Sequence, residues 1–148
     1  MRLHPNQQAG FGLFEILITI IIVAIGLLGL AAMQATGLKN NESAFRASQA
    51  TVLAYDISDR MRANMLAIDS YLSSSMTVAE AKEAGIVDGC KSVAGCSAAE
   101  MAQTDLAEWA TALDEDLPGA TATITGDGTT YSVTVSWDDD RDGEEDDA

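Results

Sequence analysis

The chain has 148 residues, 47% of them apolar, and carries 23 carboxylates against 8 lysines and arginines, a net charge of −15. That length sets one folded domain with appendages as the starting expectation. An acidic chain without a basic stripe excludes nucleic acid as a partner, because phosphate binding needs clustered cations.

Residues 1–10 are polar and hold Arg2 and His4. From Phe11 to Met33 the only charged residue is Glu15. At about 1.5 Å of rise per residue, roughly 20 apolar residues cross a bilayer core of about 30 Å. Residues 16–35 are therefore long enough to span. Positive charge ahead of the span places the N-terminus inside and the remainder outside the cytoplasm. An ordinary secretory signal cut after Gly29-Leu30-Ala31 is the alternative, but its apolar region runs only about 7–15 residues. Glu15 is the anomaly. A charge at mid-bilayer costs roughly 2.5–3.5 kcal/mol, so something must pair with it or use it. Gly26, Gly29 and Gly37 interrupt the apolar run, each costing about 1 kcal/mol of helix propensity against alanine. They serve either close helix approach or local melting of the helix during assembly.

Helical spacing then continues. In "SQATVLAYDISDRMRANMLAIDSYL", Leu53, Ile57, Met61, Met65, Ile68 and Leu72 recur at steps of three and four, joined by Ala50 and Ala54. That predicts an amphipathic helix burying one side. No proline lies between Pro5 and Pro118, so one helix is expected over residues 14–72. "SSSMT" at 73–77 ends it, and Thr77 can cap a short helix over 78–84 before Gly85.

Cys90 and Cys96 enclose "CKSVAGC". Outside the cytoplasm a disulfide is the expected state, with free thiols or a metal site as the alternatives. Ser97 and Glu100 form a capping box for a helix with Met101, Leu106, Trp109 and Leu113 on its apolar face, ended by Pro118-Gly119. Two alternating runs, 120–125 and 130–137, flank "GDGT" and read as a hairpin. Tyr131, Val133, Val135 and Trp137 share one face of the second run. A lone hairpin is marginal, so that face should lie on the amphipathic half of the long helix. The expected class is α+β: a long N-terminal helix, apolar in its first half, packed on a small antiparallel sheet with short helices.

Little here reads as chemistry. With His4 the single histidine, ahead of the span, no Ser-His, Cys-His or His-metal site is expected beyond the membrane. Asp114 and Asp116 read as solvated surface. "DDDRDG" places Asp138, Asp140 and Asp142 at alternate positions before Gly143, the opening of a calcium loop. Its twelfth-position glutamate would fall one residue past Ala148, leaving Glu144 and Asp146 as partial substitutes. The run reads as an acidic tail, with weak calcium binding as the alternative, and no cofactor is expected.

A short polar leader ending in Gly10, then Phe11 and a lone Glu15 in an apolar run, resembles the type IV prepilin signal. The resemblance implies cleavage after Gly10 by the prepilin peptidase, N-methylation of Phe11 and retention of the apolar helix. Further on, "AIGLLGLAAMQATGLKNNESAFRASQATVLAYDISDRMRANM" is similar to the PilV-type minor pilins, the type IV pilus modification proteins. "LAYDISDRMRAN" carries most of that likeness. The Cys90–Cys96 loop, "DLAEW", "LPG" and "SVTVSW" are also similar. The departure is the span's lack of the kinking proline found in many major pilins.

The resemblance implies a pilin-like fold and a structural subunit rather than an enzyme. It divides the chain into a leader (1–10), a transmembrane and assembly helix (11–36), a periplasmic pilin-like domain (37–137) and an acidic tail (138–148). It also implies a single-pass inner-membrane protein with a periplasmic C-terminus, incorporated into a pilus in a priming or tip complex. Expected partners are other minor pilins, the major pilin and a tip adhesin. Cleavage would create an ammonium on Phe11, four residues before Glu15. Charges of opposite sign attract far more strongly in low dielectric than in water, though good geometry is needed to offset their burial. Glu15 of one subunit meeting Phe11 of the next would set the register of stacked helices. The rival readings are a pseudopilin of type II secretion and an anchored periplasmic calcium-binding module.

Overall fold

The computed structural model describes residues 12–139. Helix α1 (Leu13–Ala63) runs without interruption through Gly26, Gly29 and Gly37. The chain divides into two compact units, one ending at Asn41 and one beginning at Glu42. In the first, every described residue is exposed, apolar ones included, as with Leu13 at 89% and Leu28 at 71%.

The second unit holds the core. α1 contributes Ala50, Leu53, Ile57 and Met61 to it, the front of the expected stripe. The helix ends at Ala63, short of the expected Leu72, and a 3-10 segment follows at Met65–Tyr71. The physical cause is at Asn64. Its N–H lies between the carbonyls of Arg60 and Met61, and its side chain is held by Ala98 and Tyr71. Ile68 and Tyr71 turn inward, while Met65, on the other side of the non-helical backbone at Ala67, is 57% exposed.

Strand β1 (Ser73–Thr77) was not legible as a strand, because a serine run carries no alternation of apolar residues. It pairs antiparallel with β2, with an irregularity between Ser73 and Met76. Thr77 then caps α2 (Val78–Ala84) through a full capping box with Glu80, and Gly85 closes it at φ 73°. The Cys90–Cys96 disulfide, with Cα atoms 4.8 Å apart, folds the loop that leads to α3 (Ala98–Asp116). Ser97 and Glu100 form the expected box, and donors from Ser97 hold the Glu100 carboxyl below its usual range.

α3 turns Ala102, Leu106, Trp109, Ala110 and Leu113 into the core. Met101, expected on that face, stands one position off the three-and-four spacing and remains on the rim. β2 (Thr121–Gly126) and β3 (Tyr131–Ser136) form the expected hairpin. Asp127 Oδ1 accepts from the N–H groups of Thr129 and Thr130 at 2.8 and 2.7 Å, tying the turn. Gly126 is required there: the Tyr131 ring occupies the space any Cβ would need.

The sheet is three-stranded and antiparallel, in the order β1-β2-β3. Ala122 and Ile124 of β2 are buried. Tyr131, Val133 and Val135 of β3 are half-covered against the core, with Trp137 buried just beyond. This is the expected α+β class, with one strand more than the hairpin alone.

Candidate functional site

Glu15 lies in the first turn of α1, and its own N–H donates to the Gly12 carbonyl at 3.0 Å. The first N–H groups of a helix carry partial positive charge, which favours a carboxylate there by about 0.3–1 kcal/mol. It is the one charge between Leu13 and Leu38, on a helix whose front half is long and apolar enough to cross a membrane. An apolar surface of that length must be covered by lipid or by other helices. Gly10 and Phe11, the expected cleavage and methylation positions, lie outside the described residues. Gly26, Gly29 and Gly37 have open space where a Cβ would stand, so a neighbouring helix can approach closely at each.

The second unit explains the likeness carried by "LAYDISDRMRAN" and "DLAEW": the two segments face each other. Arg60 on α1 reaches Asp56 at 3.0 Å, Asp105 at 3.1 Å and Glu108 at 2.9 Å. Burial disfavours the Arg60 charge, but hydrogen bonds to Glu108 and Asp105 outweigh that and raise its pKa. Tyr71 donates its hydroxyl to the other oxygen of Asp105 at 2.5 Å, while Asn64 donates to Tyr71 at 3.1 Å and to the Ala98 carbonyl at 2.7 Å. Burial, reinforced by Asp105, pushes the Tyr71 hydroxyl up to about 12.

Lys91, inside the disulfide loop, pairs with Glu108 at 2.7 Å. Hydrogen bonds from Lys91 and then Arg60 hold the Glu108 carboxyl below its usual range. Trp109 donates to the Leu53 carbonyl at 2.9 Å. One network thus joins the end of α1, the 3-10 segment, the cysteine loop and α3. Sequence reasoning missed Arg60, Asp105 and Tyr71 as partners. Of these contacts only Asp56 with Arg60 lies within one helical turn; the others join residues far apart in the chain.

A second contact was also missed. Arg46, buried on α1, donates to the Asp139 main-chain carbonyl at 2.7 Å and to its carboxylate at 3.3 Å, and it pairs with Glu42. Hydrogen bonding, from Ser43 first and with Trp137 and Arg46 adding, holds the Asp139 carboxyl below its usual range. The start of the acidic run is therefore held to α1. Of the calcium candidates, Asp138 is described, its N–H donating to the Pro118 carbonyl at 3.0 Å. Asp140 and Asp142 lie outside the described residues. Among the described residues no group of three or more metal-ligating side chains gathers.

Comparison with known families adds two matches. Residues 32–107 match the family described as type IV pilin Tt1218. Residues 5–31 match the prokaryotic N-terminal methylation motif. No curated protein and no solved structure matches the chain. The first match covers "LAYDISDRMRAN" and ends at Ala107, within "DLAEW", and the second spans Gly10, Phe11 and Glu15.

Proposed function

The chain belongs to the type IV pilin Tt1218-like family, structural subunits rather than enzymes, and from that premise we propose that it is a minor pilin of PilV type acting in a priming or tip complex. The observation that carries the reading is the exposed apolar run of α1 with Glu15 as its lone charge in the first turn. The prepilin peptidase removes residues 1–10, Phe11 is N-methylated, and residues 11–36 hold the subunit in the inner membrane until assembly. Residues 37–137 form the periplasmic domain and 138–148 its acidic tail. In the filament, Glu15 of one subunit pairs with the new ammonium of Phe11 on the next.

Charge supports the low-copy role. Residues 42–139 carry sixteen carboxylates against five cations, a net −11. Each of those cations is already in an ion pair. Stacking identical units of that charge is self-repulsive, whereas one such unit among less acidic neighbours is tolerated. Partners on this reading are other minor pilins, the major pilin and a tip adhesin.

The test is Glu15→Ala in cells that make pili. The variant should be processed normally yet missing from sheared filaments. Wild-type incorporation of the variant would contradict the pairing. Scoring surface pili against secreted hydrolases after deletion of the gene separates this reading from a type II secretion pseudopilin.

A further inference from the structure

Sheet edges are templates for pairing, and proteins usually blunt them with charge, proline or bulges. β1 is one edge of this sheet, and it is irregular between Ser73 and Met76. Among the described residues β3 is the other, and it has none of these guards. "YSVTVS" contains neither charge nor proline, and its six pairs with β2 run in unbroken register. The inward side chains Tyr131, Val133 and Val135 are only half-covered, unlike Ala122 and Ile124 on the adjacent strand. Beside them lies a groove of about 370 Å³ lined by Met61, Met65, Ile68, Tyr131 and Val133, with Arg62 at its rim.

We infer that the outer edge of β3, with this groove, accepts an extended strand from a different pilin subunit, apolar at alternate positions and neutral or basic in charge. Strand addition supplies main-chain hydrogen bonds along the edge, and alternate side chains fill the groove. Composition and charge choose the occupant. Residues 140–148 of this chain, "DRDGEEDDA", have no large apolar side chain to place in the groove. A second copy would set one net −11 unit against another. A neutral or basic strand meets neither obstacle. The inference rests on the minor-pilin reading and names the surface through which that subunit binds its neighbour.

The test uses the full-length chain in cells assembling pili. A photocrosslinking amino acid, benzoylphenylalanine, replaces Thr129 at the groove or Val93 in the cysteine loop, which does not line it; both positions are exposed. Thr129 should yield an adduct with another pilin, identified by peptide mass spectrometry, and Val93 should not. Adding Met65→Glu should cut the Thr129 adduct about tenfold, the effect of roughly 1.4 kcal/mol. Amide exchange over 131–136 should slow in the purified complex relative to the chain alone. An adduct only with a second copy, no adduct at Thr129, or unchanged exchange overturns the inference while leaving the minor-pilin reading intact. Absence of the chain from pili overturns both.

Discussion

Trp109 on α3 donates its indole N–H to the main-chain carbonyl of Leu53 on α1, 2.9 Å away in the core. A carbonyl oxygen has two lone pairs, so Leu53 can serve this donor as well as its own helix. The bond joins "DLAEW" to "LAYDISDRMRAN" and fixes the height of α3 against α1. Trp109→Phe keeps an aromatic ring but loses the donor, and should cost about 1–2 kcal/mol. Trp109→Ala adds a cavity and should cost about 3–5 kcal/mol. Urea unfolding of the detergent-solubilised chain, followed through Trp137, reads both. An unchanged midpoint for the phenylalanine variant would contradict the role given to the bond.

Arg60 meets three carboxylates, of which Asp105 is the most buried. Arg60→Met leaves that carboxylate with the Tyr71 hydroxyl but no cation, and should cost about 2–4 kcal/mol. Adding Asp105→Asn removes the stranded charge, so the double variant should be destabilised by less than the sum of the singles. The coupling expected from the cycle is about 1–2 kcal/mol. Simple additivity would show that the two side chains act independently.

Tyr71 predicts an alkaline limit. Its hydroxyl titrates near 12 when folded, above the ordinary value of 10. The folded state thus binds the proton more tightly than the unfolded one. That stability is fully present below the unfolded pKa and is lost as pH rises through the folded pKa. Thermal melts of the wild type should fall between pH 10 and 12 more steeply than those of Tyr71→Phe. Phenolate absorbance should show a late-titrating tyrosine that is missing from Tyr71→Phe. Parallel curves for the two proteins would contradict the buried network.

The cysteine loop makes a smaller claim. Closing a loop this short stabilises by about 2 kcal/mol in the chain-entropy view. Lys91 within it holds Glu108, so opening the loop also loosens one arm of the network. Cys90→Ser with Cys96→Ser should lower the unfolding free energy by that amount without unfolding the domain at ambient temperature. A domain unable to fold without the bridge would show the core to be weaker than its packing implies.

What the sequence disclosed follows the range of the forces involved. Ser97 with Glu100, Thr77 ahead of α2 and "GDGT" between two alternating runs are local devices, and each stands where its chemistry put it. The stop at Asn64 was hidden because its cause is tertiary: Ala98 and Tyr71 hold the side chain that ends α1. β1 was hidden because serines enter a strand only when a partner, here β2, offers an edge. The apolar run and Glu15 were visible from composition alone. The link from Arg46 to Asp139 was not, since nothing local joins residues so distant in the chain.

The most direct test of the account is intact mass spectrometry of the chain recovered from sheared pili, with sequencing of its first residues. The recovered polypeptide should begin at an N-methylated Phe11 and retain Glu15. A chain in assembled pili that still begins at Met1, or one cut near Ala31, would contradict it.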